Sequence, residues 1–199
     1  MTSPSLDQTT RQLTFLMELD KLKSIMRQSP LINRSRKENS AEHSWHLCMF
    51  ALVLSNHAKD VDALHAVKLL LVHDIVEIDA GDHPLHATSG QAEAIAQAEQ
   101  RAAERIFGLL PDDQGRELLA LWHEFEAAQT PEAIFAKALD RLQPLLINTL
   151  SNGGTWTENG VTEQQVMERY GPVIKRGSPD LWEAASQRVR DYFAGAAGK

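Results

Sequence analysis

Cysteine is almost missing from this chain. One residue, Cys48, excludes an intramolecular disulfide and fits a reducing compartment, so a cytoplasmic location is expected. Basic residues are in the minority, 20 Lys and Arg against 27 Asp and Glu, for a net charge of −7 with histidine neutral. That balance excludes the basic stripe of a general nucleic-acid binder, though not an anionic small substrate, because a bound cation reverses the field locally. No window approaches the roughly 18 apolar residues of a membrane span, and Met1 to Arg11 is polar, so neither a span nor a signal peptide is expected. Internal repeats, low-complexity tracts and interior linkers are lacking too. What is present suffices for a buried core and one domain: 43% apolar and 24% charged residues over 199 positions.

The apolar spacing is helical almost throughout. From Asp7 to Gln28, Leu13, Leu16, Met17, Leu22 and Ile25 recur near a helical period, with few β-branched residues between them. Ser29 to Ser40 carries Pro30, Asn33, Ser35 and Asn39 and reads as a loop ending on Ser40 as N-cap. Ala41 to His57 is apolar on nearly every side from Leu47 to Leu54 and is expected at the centre of the fold. Leu64 to Ile78 reads as a helix, Asp79 to Gly90 as a loop, and Gln91 to Phe107 as a surface helix. Asp112 to Ala128 and Pro131 to Leu150 follow, the second opening with Thr130 as N-cap and Pro131 at its first position, and expected to kink at Pro144. Ser151 to Gly160 reads as a loop, and two shorter helices over about 162–195 close the chain. The expectation is an all-α fold of about eight helices, without strands, as one domain over 1–199 with its core over about 11–150.

Four residues on apolar faces are chemically out of place. His43 shares a face with Leu47 and Phe50, His73-Asp74 ends the run Leu69-Leu70-Leu71-Val72, and Asp140 falls inside the apolar arc of its helix, between Ala136 and Ile147. A buried aspartate is costly unless it is paired or bound to a cation. A borderline divalent metal accepts imidazole and carboxylate together and removes that cost. Glu77, four residues after His73 and three after Asp74, sits where a base beside such a metal would sit, and Asp82 lies within reach in the following loop. The bland alternative is a set of hydrogen-bonded core residues. His46 competes with His43 as a ligand, while His83 and His86 are candidates for the cavity entrance. His57, His65 and His123 read as surface or helix-end residues, Cys48 as a core filler, the four tryptophans as packing, and Glu93, Glu99 and Glu104 as a solvated face.

The order His43, His73-Asp74, Asp140 resembles the H…HD…D signature of the HD-domain superfamily of metal-dependent phosphohydrolases. Arg36-x-Glu38-x-x-x-Glu42-His43-Ser44, His73-Asp74-x-x-Glu77-x-x-x-Gly81-Asp82, Leu121-Trp122-x-Glu124-Phe125-Glu126 and Lys137-x-x-Asp140 are similar to its 5′-deoxynucleotidase branch, from about Phe15 to Leu150. The resemblance implies an HD-type helical domain, usually dimeric, with one divalent ion (Mn, Co, Fe, Zn or Mg) on His43, His73, Asp74 and Asp140. It also implies hydrolysis of deoxyribonucleoside 5′-monophosphates, with Glu77 as the catalytic acidic residue, Asp82 near the sugar and leaving oxygen, and Arg27 orienting the phosphate. The chain departs from the family at Gln28, Ser29 and Pro30, where relatives commonly carry a tryptophan one to three residues after that arginine. Two other readings stand beside this one: hydrolysis of an alarmone or cyclic nucleotide, and a helical sensor module that holds metal without turnover. No nucleic-acid polymer or membrane partner is expected.

Overall fold

A computed structural model describes residues 5–83 and 89–196. Helix α1, Leu6–Glu18, opens on Ser5, whose hydroxyl accepts the Gln8 N–H. The helix expected to reach Gln28 stops ten residues short of it. A 3-10 turn, Leu19–Ser24, leads instead into strand β1, Met26–Pro30, which pairs antiparallel with β2, Lys37–Asn39. Backbone pairing across the connection, such as the Leu31 N–H to the Arg36 carbonyl at 2.9 Å and the Ser40 N–H to the Ile25 carbonyl at 3.0 Å, captures groups that a continued helix would have used internally. Arg34 makes the turn in the left-handed region, at φ 57°. The apolar stripe read along α1 is also not a core face, since Leu13, Leu16 and Met17 are exposed while Phe15 and Leu22 are buried.

Helix α2, Ser40–Leu54, starts one residue earlier than expected. Asn39 rather than Ser40 is the N-cap, in a capping box where Asn39 accepts the Glu42 N–H and Glu42 accepts the Asn39 N–H. Helix α3, Ala63–Val72, is capped by Asp62. The predicted continuation to Ile78 tightens at His73 into three-residue turns, with Ile75 N–H on Val72 O and Glu77 N–H on Asp74 O, before the single turn α4, Glu77–Ala80. Residues three apart eclipse in that geometry, which stacks Asp74 and Glu77 on one side.

The remaining helices are α5, Ser89–Phe107, α6, Asp112–Ala127, α7, Pro131–Leu150, the single turn α8, Gly154–Glu158, α9, Glu163–Gly177, and α10, Pro179–Ala196. Among the described residues, eight helices have ten residues or more, joined by two single turns and the two-stranded ribbon. Strands and α8 were not expected. Helix α7 starts as predicted, with Thr130 accepting the Ala133 N–H and Pro131 in the first turn, and it is continuous through Pro144.

The centre of the fold is α7, packed against α2, α3, α6, α8, α9 and α10. Phe135, Leu139 and Leu145 are fully buried there, meeting Leu47, Leu69, Leu70, Ile106, Phe107 and Ile174 in one hydrophobic cluster. Helix α2, expected to be enclosed, exposes Trp45 (65%), Met49, Leu52 and Val53. Helix α5 is a surface helix only in part, because Ala102, Ala103, Ile106 and Phe107 enter the core.

Candidate metal centre

Three elements converge on one polar point in this core. The capping box fixes the first turn of α2 and with it His43, which is fully buried. The end of α3 delivers His73 and Asp74, and the middle of α7 delivers Asp140. One ligand atom each from His43, His73 and Asp140 lie within 4.8 Å of one another. His43 Nε2 is 3.1 Å and His73 Nε2 3.9 Å from Asp140 Oδ1. Asp74 is not in that tight trio but adjoins it, with Oδ1 3.0 Å from His73 Nε2.

The ring of His73 shows what the trio fits. Its Nδ1–H donates to the Leu70 carbonyl at 2.8 Å, so in the neutral imidazole Nε2 carries the lone pair. That atom is buried without a hydrogen-bond partner among the described residues, and it faces the oxygens of Asp74 and Asp140. Acceptors facing acceptors in a dry pocket repel unless a cation sits between them, and two imidazoles with carboxylates form a donor set for a borderline divalent ion. His43 is oriented from behind: its Nδ1 lies 3.4 Å from the buried Glu38 carboxylate, which Gln143 Nε2 holds at 2.9 and 3.2 Å.

The charges follow from this crowding. Burial opposes ionisation of Asp74, but the contact with His73 and the Arg27 charge outweigh it and hold the carboxyl down at about 2. Burial likewise works against ionised Asp140, yet the His43 contact and the Arg141 charge keep it well below the ordinary carboxylate range. For His43, burial and the Arg27 charge disfavour protonation, and the Asp140 and Glu38 carboxylates overcome both, lifting it to about 9. A bound metal ion would take the place of that proton. Glu77 goes the other way: burial, reinforced by Asp74, pushes it up to about 8. The Ser40 hydroxyl donates to Glu77 Oε2 at 2.5 Å. Burial raises Asp82 as well.

Arg27, expected on a helix, stands on β1. Its Nη1 is 2.8 Å from Asp74 Oδ2 and 3.8 Å from both Glu77 Oε1 and Asp82 Oδ1, so its charge is anchored among three carboxylates. Arg27, Asp74, Glu77, Asp82, Asp140 and Arg141 line a cavity of about 740 Å³, which is in the range of small-molecule sites. His46 is not in the trio; its Nδ1 lies 3.3 Å from Gln143 Nε2 and its ring meets Phe50 edge-on. His83 is exposed at the cavity and His86 lies outside the described residues. His65 pairs with Glu124 at 2.9 Å, and Cys48 is buried with its thiol pushed up to about 11. Glu99 is half-buried rather than solvated.

Sequence reasoning missed Ser40, Glu38 and Gln143 as supports of the site, and Arg141 on its wall. Gln143 was detectable in principle, because it lies three residues after Asp140 inside the same apolar arc.

The HD domain profile matches residues 19–182. Among curated proteins the chain is 33% identical over 135 residues to 5′-deoxynucleotidase HDDC2 of Homo sapiens, covering 67% of this chain and 65% of that protein. It is 29% identical to the Dictyostelium discoideum 5′-deoxynucleotidase HDDC2 over 55% of this chain and 60% of that one. The match therefore spans less than two thirds of either relative. The crystal structure of a predicted metal-dependent phosphohydrolase from Magnetospirillum magnetotacticum MS-1 is similar with a TM-score of 0.87 and 44% identity, covering 94% of this chain and 96% of that one. A conserved hypothetical protein from Pyrococcus furiosus shares the fold at a TM-score of 0.56 and 23% identity, covering 88% of this chain and 99% of that one.

Proposed function

Because this chain belongs to the HD domain family, we propose that it is a metal-dependent phosphohydrolase that converts deoxyribonucleoside 5′-monophosphates to nucleoside and phosphate. The observation that carries the reading is the buried, unpartnered Nε2 of His73 facing two carboxylates at a cavity that also holds a guanidinium. The similarity to 5′-deoxynucleotidases and to a predicted metal-dependent phosphohydrolase supports the choice of substrate and chemistry.

His43, His73, Asp74 and Asp140 would hold one divalent ion, from among Mn, Co, Fe, Zn and Mg. When bound, such an ion supplies an acidified water and neutralises phosphoryl charge. Arg27 keeps one nitrogen on Asp74 and turns the rest of its fork to the phosphate oxygens. Glu77, steadied by the Ser40 hydroxyl, orients the attacking water and takes its proton; burial makes it a stronger base than an ordinary glutamate. Asp82, also raised by burial, hands a proton to the departing 5′-oxygen.

The protein works as a homodimer in the cytoplasm on this reading. The lone buried thiol of Cys48 suits a reducing compartment, and among the described residues no helix is long and apolar enough to cross a membrane. The dimer face is α2 with α3, where Trp45, Met49 and Leu52 stand exposed at helical spacing, with Leu64 and Leu71 exposed on α3.

The test is phosphate release from a panel of deoxy- and ribonucleoside 5′-monophosphates, a cyclic nucleotide and an alarmone. The protein is first stripped with chelator, then reconstituted with each ion in turn. Metal-restored release from the deoxynucleoside monophosphates is expected. Metal uptake with no release from any substrate would replace the enzyme with a sensor, and release only from the alarmone or cyclic nucleotide would move the substrate.

A further inference from the structure

One turn of α7 acts on both nitrogens of His43. Asp140 Oδ1 meets Nε2 directly at 3.1 Å. Three residues on, Gln143 reaches the other side of the ring, where its Nε2 donates to both oxygens of Glu38 at 2.9 and 3.2 Å. Glu38 stands on β2 and turns Oε2 to His43 Nδ1 at 3.4 Å, a long contact that falls short of full hydrogen-bond geometry. The whole arrangement is dry: His43 and Gln143 are fully buried, and Glu38 is 3% exposed.

What the Gln143 amide faces decides its orientation. Its Nε2 has acceptors on two sides, Glu38 and His46 Nδ1 at 3.3 Å, while its own Oε1 is buried with no partner among the described residues. Burial holds His46 toward its neutral form, which lets that Nδ1 accept. The flipped amide would set Oε1 against a carboxylate, so the unmet carbonyl is the smaller cost. The same repulsion governs the neutral His43 ring. A proton on Nε2 alone would aim the Nδ1 lone pair at Glu38 in a buried space. A proton on Nδ1 puts the lone pair at Nε2, on the side of Asp140 and His73. The two rings thus differ as donors, since His73 is backed only by the neutral Leu70 carbonyl. A carboxylate behind an imidazole makes it the more basic ligand.

We infer that Glu38, clamped by Gln143, is a positioning residue for the metal: it keeps the His43 proton on Nδ1, leaves Nε2 as the donor atom and strengthens it as a ligand. The inference rests on the metal-dependent reading and adds to it what sets the affinity. Loss of such a partner behind a metal-bound histidine lowers metal affinity about 10- to 100-fold. The discriminating variant is Glu38→Gln. It keeps the shape and an oxygen for the Nδ1–H, and a turned Gln143 amide can accept from the new NH₂ through the Oε1 that is now unmet. Only the negative charge is removed, and no buried donor is stranded, so stability and metal affinity should part company.

The chelator-stripped natural chain, Glu38→Gln and Gln143→Met are titrated with Co²⁺ and with Zn²⁺ in competition with a chromophoric chelator. Circular dichroism reads the Tm of each metal-free protein. Glu38→Gln should bind both ions about 10- to 100-fold more weakly and shift the visible bands of bound Co²⁺, while its metal-free Tm stays at the natural value. Gln143→Met, which releases the carboxylate without removing it, should lose less affinity. Unchanged affinity in Glu38→Gln overturns the inference. So does a weaker affinity that comes with a lowered metal-free Tm and an unmoved Co²⁺ spectrum, since that leaves Glu38 only a structural role. Where Glu38→Gln fails to fold, Gln143→Met carries the test, and natural affinity there overturns the inference. Metal uptake by the natural chain with both variants unchanged sinks this inference alone; no uptake by the natural chain sinks the metal-dependent reading with it.

Discussion

The two nitrogens of His73 divide structural and chemical duty between them. Nδ1–H is tied to the Leu70 carbonyl one turn back, which fixes the ring and leaves Nε2 as a lone pair in a buried space shared with carboxylates. Asp74 and Glu77 stand close to one another but have opposite electrostatics, one held ionised by adjacent positive charge and the other pushed toward its neutral form by burial. Their variants should separate accordingly. Asp74→Ala loses a candidate ligand and should lose both metal content and turnover. Glu77→Ala should keep its metal while turnover falls about 100-fold or more. Metal analysis of both purified variants, beside a phosphate-release assay, checks this; a fully active Glu77→Ala would remove Glu77 from the mechanism.

Among the elements, α7 sets the geometry. It supplies Asp140 to the metal trio, Gln143 to the carboxylate behind His43, and Arg141 and Pro144 to the cavity wall. Helix α9 crosses it closely, because Gly177 has no side chain there. A Cβ at Gly177 would come within 2.5 Å of the Ala138 Cβ and 2.9 Å of the Ile134 carbonyl oxygen. Gly177→Ala should therefore cost about 1–3 kcal/mol by forcing the helices apart. The strain also shifts α9, which carries Gln165 and Tyr170. A chemical-denaturation midpoint that stays at the natural value would show that the crossing relaxes without loss.

At the scale of the whole molecule, the proposed homodimer needs a face, and α2 offers one. The α2 stripe has a large aromatic anchor in Trp45, the residue type that most often carries interface energy, and stable interfaces bury about 800 Å² per partner. Trp45→Glu should convert a dimer to a monomer without unfolding it, because the ring is 65% exposed within one chain. Light scattering with circular dichroism reads both. A dimer that survives the substitution would place the contact elsewhere, for instance on the exposed leucines of α1.

What the sequence determined alone was whatever a local period or cap can encode: eight long helices, the Thr130–Pro131 start of α7, and the inward positions of His43, His73 and Asp140 from their apolar surroundings. The tertiary structure decided what depends on distant partners. Met26 to Pro30 became a strand because β2 was available to take its backbone groups. The segment after Val72 tightened into short turns, and Arg27 reached the site from a ribbon rather than a helix. Ser40 became a support for Glu77, 37 residues away, and α8 and α9 closed one wall of the cavity. A period reports which side of an element is dry; only the packed chain determines which polar groups find one another there.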